Sequence, residues 1–176
     1  MKYVDQYKEL HKNAYGYGDG WAISRQAQHI SNLVNDTNSK TLLDFGSGKA
    51  DYENNNIHLL WGGILPARYD PAIPQWSEMP EGTFDGVFSA DVMEHIPEDE
   101  VHDVLTTHFE KANKFVFLGI CTKLAKTILP NGENAHCTVE DSNWWSDRIL
   151  KANKKGVYTH LSCYGNSNDY RIFFQR

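Results

Sequence analysis

Three stretches of this 176-residue chain place carboxylates, glycines and imidazoles at spacings that suit ligand chemistry. The first is Thr41-Leu42-Leu43-Asp44-Phe45-Gly46-Ser47-Gly48, an apolar run ending in a carboxylate and a Gly-x-Gly turn. Such a run reads as a buried strand entering a ligand-binding loop. Without a Cβ, Gly46 and Gly48 accept positive φ and let a ligand lie against bare backbone, where freed N–H groups and the start of the next helix favour electron-rich atoms. Asp44 adds the opposite sign, so the stretch suits a ligand carrying both a positive charge and a nucleoside. The second stretch is Tyr69-Asp70-Pro71, with Asp70 lying 26 positions after Asp44 (70 − 44). At the end of a strand, that carboxylate can accept hydrogen bonds from both hydroxyls of a ribose; its plainer role is to initiate a turn. The third is Asp91-Val92-Met93-Glu94-His95, directly after an apolar run at 84–90. In a helical turn the positions i, i+3 and i+4 bring Asp91, Glu94 and His95 to one face.

Holding these groups requires strands that end together. Residues 2–12 have helical composition, and Tyr15-Gly16-Tyr17-Gly18-Asp19-Gly20 is either a connector or a mobile flap over a ligand, with connector the favoured reading. Ile23, Ala27, Ile30 and Val34 recur at helical spacing and lead to a strand over 41–46. Residues 50–61 are Asn-rich and poor in helix propensity, and Gly62-Gly63 ends them. A strand near 64–69 contains Pro66, so it lies at a sheet edge or begins after the proline. Further strands are expected at 84–90 and 115–120. A helix opens on the acidic cluster Pro97-Glu98-Asp99-Glu100, and another carries Trp144, Trp145, Ile149 and Leu150 behind a cap at Asp141 or Ser142. Segments 156–164 and 170–174 flank the short turn at 165–169, which predicts an antiparallel C-terminal hairpin. The pattern is an α/β fold, an open and mostly parallel sheet with one mixed edge. Ligands of such sheets bind off the carboxyl ends of the strands, where Asp44, Asp70 and Asp91 all fall.

Length and a 40% hydrophobic content fit one domain spanning 1–176, with 1–40 supplying N-terminal helices and the possible flap and 41–176 forming the core. The net charge of −6 and the scattered Lys and Arg disfavour nucleic acid and anionic membranes as partners. Cys121, Cys137 and Cys163 are odd in number and widely spaced, as in reduced thiols. No apolar stretch approaches the roughly 18 residues of a membrane span, so a soluble, cytoplasmic protein is expected. A nicotinamide or flavin site would want a third glycine where Asp51 stands.

Taken together, Leu43-Asp44-Phe45-Gly46-Ser47-Gly48, Tyr69-Asp70-Pro71 and Phe84-Asp85-Gly86-Val87-Phe88-Ser89-Ala90-Asp91-Val92-Met93-Glu94-His95-Ile96 give the chain a sequence that resembles the class I S-adenosylmethionine-dependent methyltransferases. The resemblance implies a Rossmann-like fold with helices on both faces and S-adenosylmethionine as cofactor, leaving S-adenosylhomocysteine as product. It implies that Asp44, Gly46, Ser47 and Gly48 hold the methionyl end, Asp70 the ribose, and Asp91 the junction with substrate. The acceptor is expected to be a small molecule of unidentified kind. The alternative is a noncatalytic protein that keeps the nucleoside site for regulation. His95, His136 and Glu94 are the candidates for acid or base chemistry, and His95 falls where the family places its reaction site. With Asp91 they would also suit a divalent ion, but no spacing here is metal-specific, and the favoured reading is that no metal binds.

Two features depart from the family pattern. The third glycine of the loop is replaced around Ala50-Asp51, and only 14 positions (84 − 70) separate Asp70 from the next strand. The second predicts the loss of the family's third strand: six strands in all, the strand before Asp70 at the edge, and an irregular 71–83 crossing the cofactor with Trp76 near the adenine. The other aromatics near the chain ends, Tyr15, Tyr17, Trp21, Trp144 and Trp145, are expected in the core rather than in an acceptor pocket.

Overall fold

A computed structural model of the chain describes residues 3–165 and 171–174. Among these, α1 (Val4–Asn13) and α2 (Trp21–Asp36) precede β1 (Leu42–Phe45), a single turn α3 (Ile57–Leu60), β2 (Ala67–Tyr69) and β3 (Phe84–Ala90). Then come α4 (Glu98–Lys111), β4 (Ala112–Cys121), α5 (Ser142–Ala152), β5 (Tyr158–Tyr164) and β6 (Arg171–Phe174). The strands form one six-stranded sheet in the order β2-β1-β3-β4-β5-β6. Five are parallel, and β6 runs antiparallel to β5, pairing Leu161 with Ile172. Residues 166–169 of the turn expected between them, at 165–169, lie outside the described ones.

Alternation along the strands sorts the core into two layers, because successive side chains of a strand point to opposite faces. Leu43, Val87, Val116 and Leu118 pack with Val101, Leu105 and Phe109 of α4 and with Trp145 and Ile149 of α5. Leu42, Phe88, Phe115 and Phe117 pack on the other face against Ile23, Ala27, Ile30 and Val34 of α2, joined by Tyr52 and Trp61. The residues singled out by helical spacing are thus the buried stripe of α2. Asp141 caps α5, accepting the Trp144 N–H at 2.8 Å.

The abbreviated edge is present. β2 begins only after Pro66 and pairs with β1 alone, so the missing proline donor faces no strand. Residues 71–83 hold no strand, only a 3₁₀ turn at Pro74–Trp76. Trp76 is not beside the cavity described below. The Arg68 guanidinium lies over its ring at 5.1 Å and over the Tyr52 ring at 4.6 Å, a cation–π stack that holds the indole against Arg68.

A helix does not start at the glycine loop. Asp51 accepts the Asn54 N–H at 3.0 Å and its side-chain amide at 2.5 Å, and Asn56 takes φ +56°, so the Asn-rich segment closes on itself as turns before α3. No helix among the described residues is long and apolar enough to cross a membrane.

Candidate functional site

The carboxyl ends of β1, β2 and β3 open into a cavity of ≈ 350 Å³, within the range of small-molecule sites. Asp44, Gly46, Ser47, Gly48, Asp70, Asp91, His95 and His136 all line it. These eight candidates are therefore brought to one place, from segments as distant as 44 and 136, whereas Trp76 and Glu94 are not among the lining residues.

The glycine loop is built differently from expectation. Its N–H groups are not left free: those of Gly46 and Ser47 donate to the Tyr69 carbonyl at 2.7 and 3.1 Å, that of Gly48 to Asp70 Oδ2 at 2.8 Å, and that of Lys49 to the Gly18 carbonyl at 2.6 Å. What the loop offers a ligand is bare backbone and the Ser47 hydroxyl, which is buried with no hydrogen-bond partner. Positive φ at Gly46 (85°) and Gly48 (53°) makes the turn possible, and glycine is required there for space as well. A Cβ on Gly48 would stand 2.5 Å from the Gly18 carbonyl oxygen.

Asp70 sits where the ribose reading needs it, yet both its oxygens already accept backbone N–H groups, Oδ2 from Gly48 and Oδ1 from Ala72 at 2.8 Å. The turn-initiating role and the cavity position coexist. Asp44 is buried at 3% exposure, its carboxylate accepting the Tyr52 hydroxyl. Burial pushes its carboxyl up to about 7 despite that bond.

Beyond β3 the chain turns sharply at Asp91, a non-glycine residue at φ +56° whose N–H donates to Gly119 O at 2.9 Å. Asp91 Oδ2 pairs with Arg25 at 2.8 Å while Oδ1 is buried without a partner. Burial raises the Asp91 carboxyl, the Arg25 guanidinium opposing. A 3₁₀ turn, Met93–His95, then buries Glu94 completely; its Oε1 accepts the Cys121 N–H at 2.9 Å, and burial drives its carboxyl well above the usual range. Segment 135–138 is stitched onto this turn: the Thr138 N–H donates to Glu94 O at 3.0 Å and its hydroxyl to Ile96 O at 2.7 Å.

His95 and His136 meet edge to face with ring centroids 4.7 Å apart. Their tautomers follow from their partners, since a carbonyl can only accept. His95 Nδ1 donates to Ala135 O at 2.7 Å and His136 Nδ1 to Lys123 O at 2.6 Å, so Nε2 is the nitrogen each ring leaves for another partner. Burial, with His136 nearby, lowers His95 to about 3, so it is neutral at physiological pH and accepts through Nε2.

Sequence reasoning missed the roof. Tyr7 and His11 of α1 and residues 16–20 also line the cavity. The Tyr7 hydroxyl lies 3.1 Å from His95 O and 3.0 Å from Ala135 O, fixing α1 over the histidine turn. The Gly-Tyr loop is thus a wall of the site and not the plain connector favoured from sequence. Its glycines were the available signal.

No family model matches the chain, and no curated protein matches it in sequence. Solved structures do. A Burkholderia thailandensis 1,6-didemethyltoxoflavin-N1-methyltransferase, crystallised with 1,6-didemethyltoxoflavin and S-adenosylhomocysteine, superposes with a TM-score of 0.60 at 14% identity, over 99% of this chain and 88% of the other. An O-methyltransferase family protein from the same organism superposes with a TM-score of 0.54 at 14% identity, over 97% of this chain and 63% of its own. The chain has the class I methyltransferase fold.

Proposed function

We propose that this protein is an S-adenosylmethionine-dependent methyltransferase acting on a small-molecule acceptor. The observation that carries the reading is one cavity at the ends of β1, β2 and β3 that brings Asp44, Ser47 and Asp70 together with Asp91, His95 and His136. The residues present fit the cofactor. A buried carboxylate awaits a cation, an unpartnered Ser47 hydroxyl faces bare glycine backbone, and Asp70 keeps lone pairs beside its two backbone donors.

When bound, S-adenosylmethionine supplies a methyl group on a cationic sulfonium. The chain's share is to align the acceptor with that methyl and exclude water, because charge disappears in the in-line displacement. Tyr7, His11 and the 16–20 loop provide the cover, and Nε2 of His95 or His136 is placed to accept a hydrogen bond from a protonated acceptor atom.

The raised Asp44 carboxyl gives the reading a pH signature. Its folded value lies above that of the unfolded chain, so the folded protein binds the extra proton. Stability from this group is full below about pH 4 and is lost as pH rises through about 7. Binding of the cofactor's ammonium group takes the ionised carboxylate, so affinity for S-adenosylhomocysteine should increase about 20-fold from pH 5.5 to 7.5. Methylthioadenosine, which lacks the ammonium, should show no such rise; equal profiles for the two would remove Asp44 from the methionyl site.

Turnover tests the function itself. Incubation with S-adenosylmethionine and a panel of phenols, catechols and nitrogen heterocycles, followed by mass spectrometry, should reveal S-adenosylhomocysteine and a product heavier by one methylene. Cofactor binding without turnover on that panel or on small-molecule extracts would favour the regulatory alternative.

A further inference from the structure

We propose that Glu94, His95 and His136 bind one divalent transition-metal ion at the edge of the cavity, with Asp91 beside it. One ligating atom of each of the three lies within 4.8 Å of the others. Three donors sharing a single ion at about 2.0–2.2 Å stand about 3.3–3.8 Å apart, so the widest pair draws in by about 1 Å on binding.

The surroundings are those of ligands held ready. Metal-bound histidines characteristically donate their second ring nitrogen to a carbonyl or carboxylate, which fixes the ring and its tautomer. Both imidazoles do so here, to Ala135 O and Lys123 O. Glu94 is completely buried, and its Oε1 is occupied by the Cys121 N–H, but Oε2 is buried with no hydrogen-bond partner among the described residues. Asp91 Oδ1, three positions earlier, is likewise buried and unpartnered. Capping the turn after β3 accounts for Oε1 of Glu94 and leaves Oε2 and the convergent imidazoles unexplained. A cation accounts for all three. This proposal departs from the expectation from the sequence that no metal binds; spacing alone does not disclose that both rings engage a carbonyl through Nδ1.

Two imidazoles and a carboxylate select a first-row ion such as Zn²⁺, Co²⁺, Mn²⁺ or Fe²⁺ over Mg²⁺, which prefers oxygen ligands and water. Three protein ligands leave open positions, and His95 and His136 line the cavity, so those positions face the acceptor. Resting on the methyltransferase reading, this names the acceptor class: a small molecule whose hydroxyl oxygen coordinates the ion. Coordination lowers the pKa of that hydroxyl, whose proton leaves to solvent. The freed pair then bonds to the methyl carbon as the C–S bond breaks and its electrons stay on sulfur.

The test needs neither cofactor nor acceptor. The full chain, stripped with EDTA and dialysed, is titrated calorimetrically with Zn²⁺ and Co²⁺. One ion per chain is expected, with a cobalt visible spectrum of nitrogen and oxygen ligation, and Mg²⁺ should not compete. His136→Ala should weaken Co²⁺ binding by about 100-fold or more, exceeding what outer partners of a metal site are worth. The exposed His102→Ala on α4 should leave it unchanged. Should His136→Ala unfold, His136→Gln retains an N–H for the Lys123 carbonyl and gives the same reading. Absence of stoichiometric binding, or equal affinity in the His136 and His102 variants, overturns the site. S-adenosylhomocysteine binding measured on the same stripped protein keeps that outcome separate from failure of the methyltransferase reading.

Discussion

Gly48→Val should raise the dissociation constant for S-adenosylhomocysteine by about 100-fold or more while the sheet remains folded. Two effects combine. A β-branched residue at φ +53° carries about 1–2 kcal/mol of left-handed strain. The new Cβ, 2.5 Å from the Gly18 carbonyl oxygen, adds about 1–3 kcal/mol of overpacking. The free protein relieves the clash by lifting the 16–20 loop and breaking the Lys49 N–H to Gly18 O bond. Binding must close the loop again, so the relief is forfeited in the complex, and about 2.7 kcal/mol corresponds to that 100-fold. Gly62→Val is the matched control: φ is +67°, but nothing lies within 4 Å of its Cβ position. It should lose a similar amount of stability from backbone strain and no affinity. If both variants bind equally well, the 16–20 loop is a connector and not a wall of the site.

Asp70→Asn should weaken S-adenosylhomocysteine by about 5- to 150-fold, the equivalent of about 1–3 kcal/mol for a ribose hydroxyl pair losing its charged acceptor. Part of any loss here is structural, because the same carboxylate holds the Gly48 and Ala72 N–H groups. A double-mutant cycle separates the parts. If Asp70 meets the ribose, removing the 2′- and 3′-hydroxyls from the ligand costs the wild type much more than it costs Asp70→Asn, and the two changes are not additive. Additive losses would confine Asp70 to ordering the glycine loop. Asparagine is preferred to alanine because it keeps one acceptor and lessens the accompanying loss of stability.

The parts of the fold visible in the sequence are those set by local pattern. Continuous apolar runs marked β1, β3 and β4, helical spacing marked α2, and Pro66 with the short gap to Phe84 marked β2 as the edge. The positions of Asp44, Asp70 and Asp91 followed from the strand ends. What escaped depended on partners far along the chain. The glycine-loop N–H groups looked free because their acceptors, Tyr69, Asp70 and Gly18, lie 22 to 31 positions away. Trp76 was drawn to Arg68 and Tyr52, a stack no propensity announces. Tyr7 and His11 have ordinary helical surroundings and acquire a role only when α1 lies across the turn at Met93–His95.

Calorimetric titration of the purified full chain with S-adenosylhomocysteine tests the central claim most directly. Saturable binding of one molecule per chain, with NAD and FAD giving no heat, is the predicted result. A folded protein that fails to bind S-adenosylhomocysteine and S-adenosylmethionine between pH 6 and 8, or one that takes NAD in the same cavity, would contradict it.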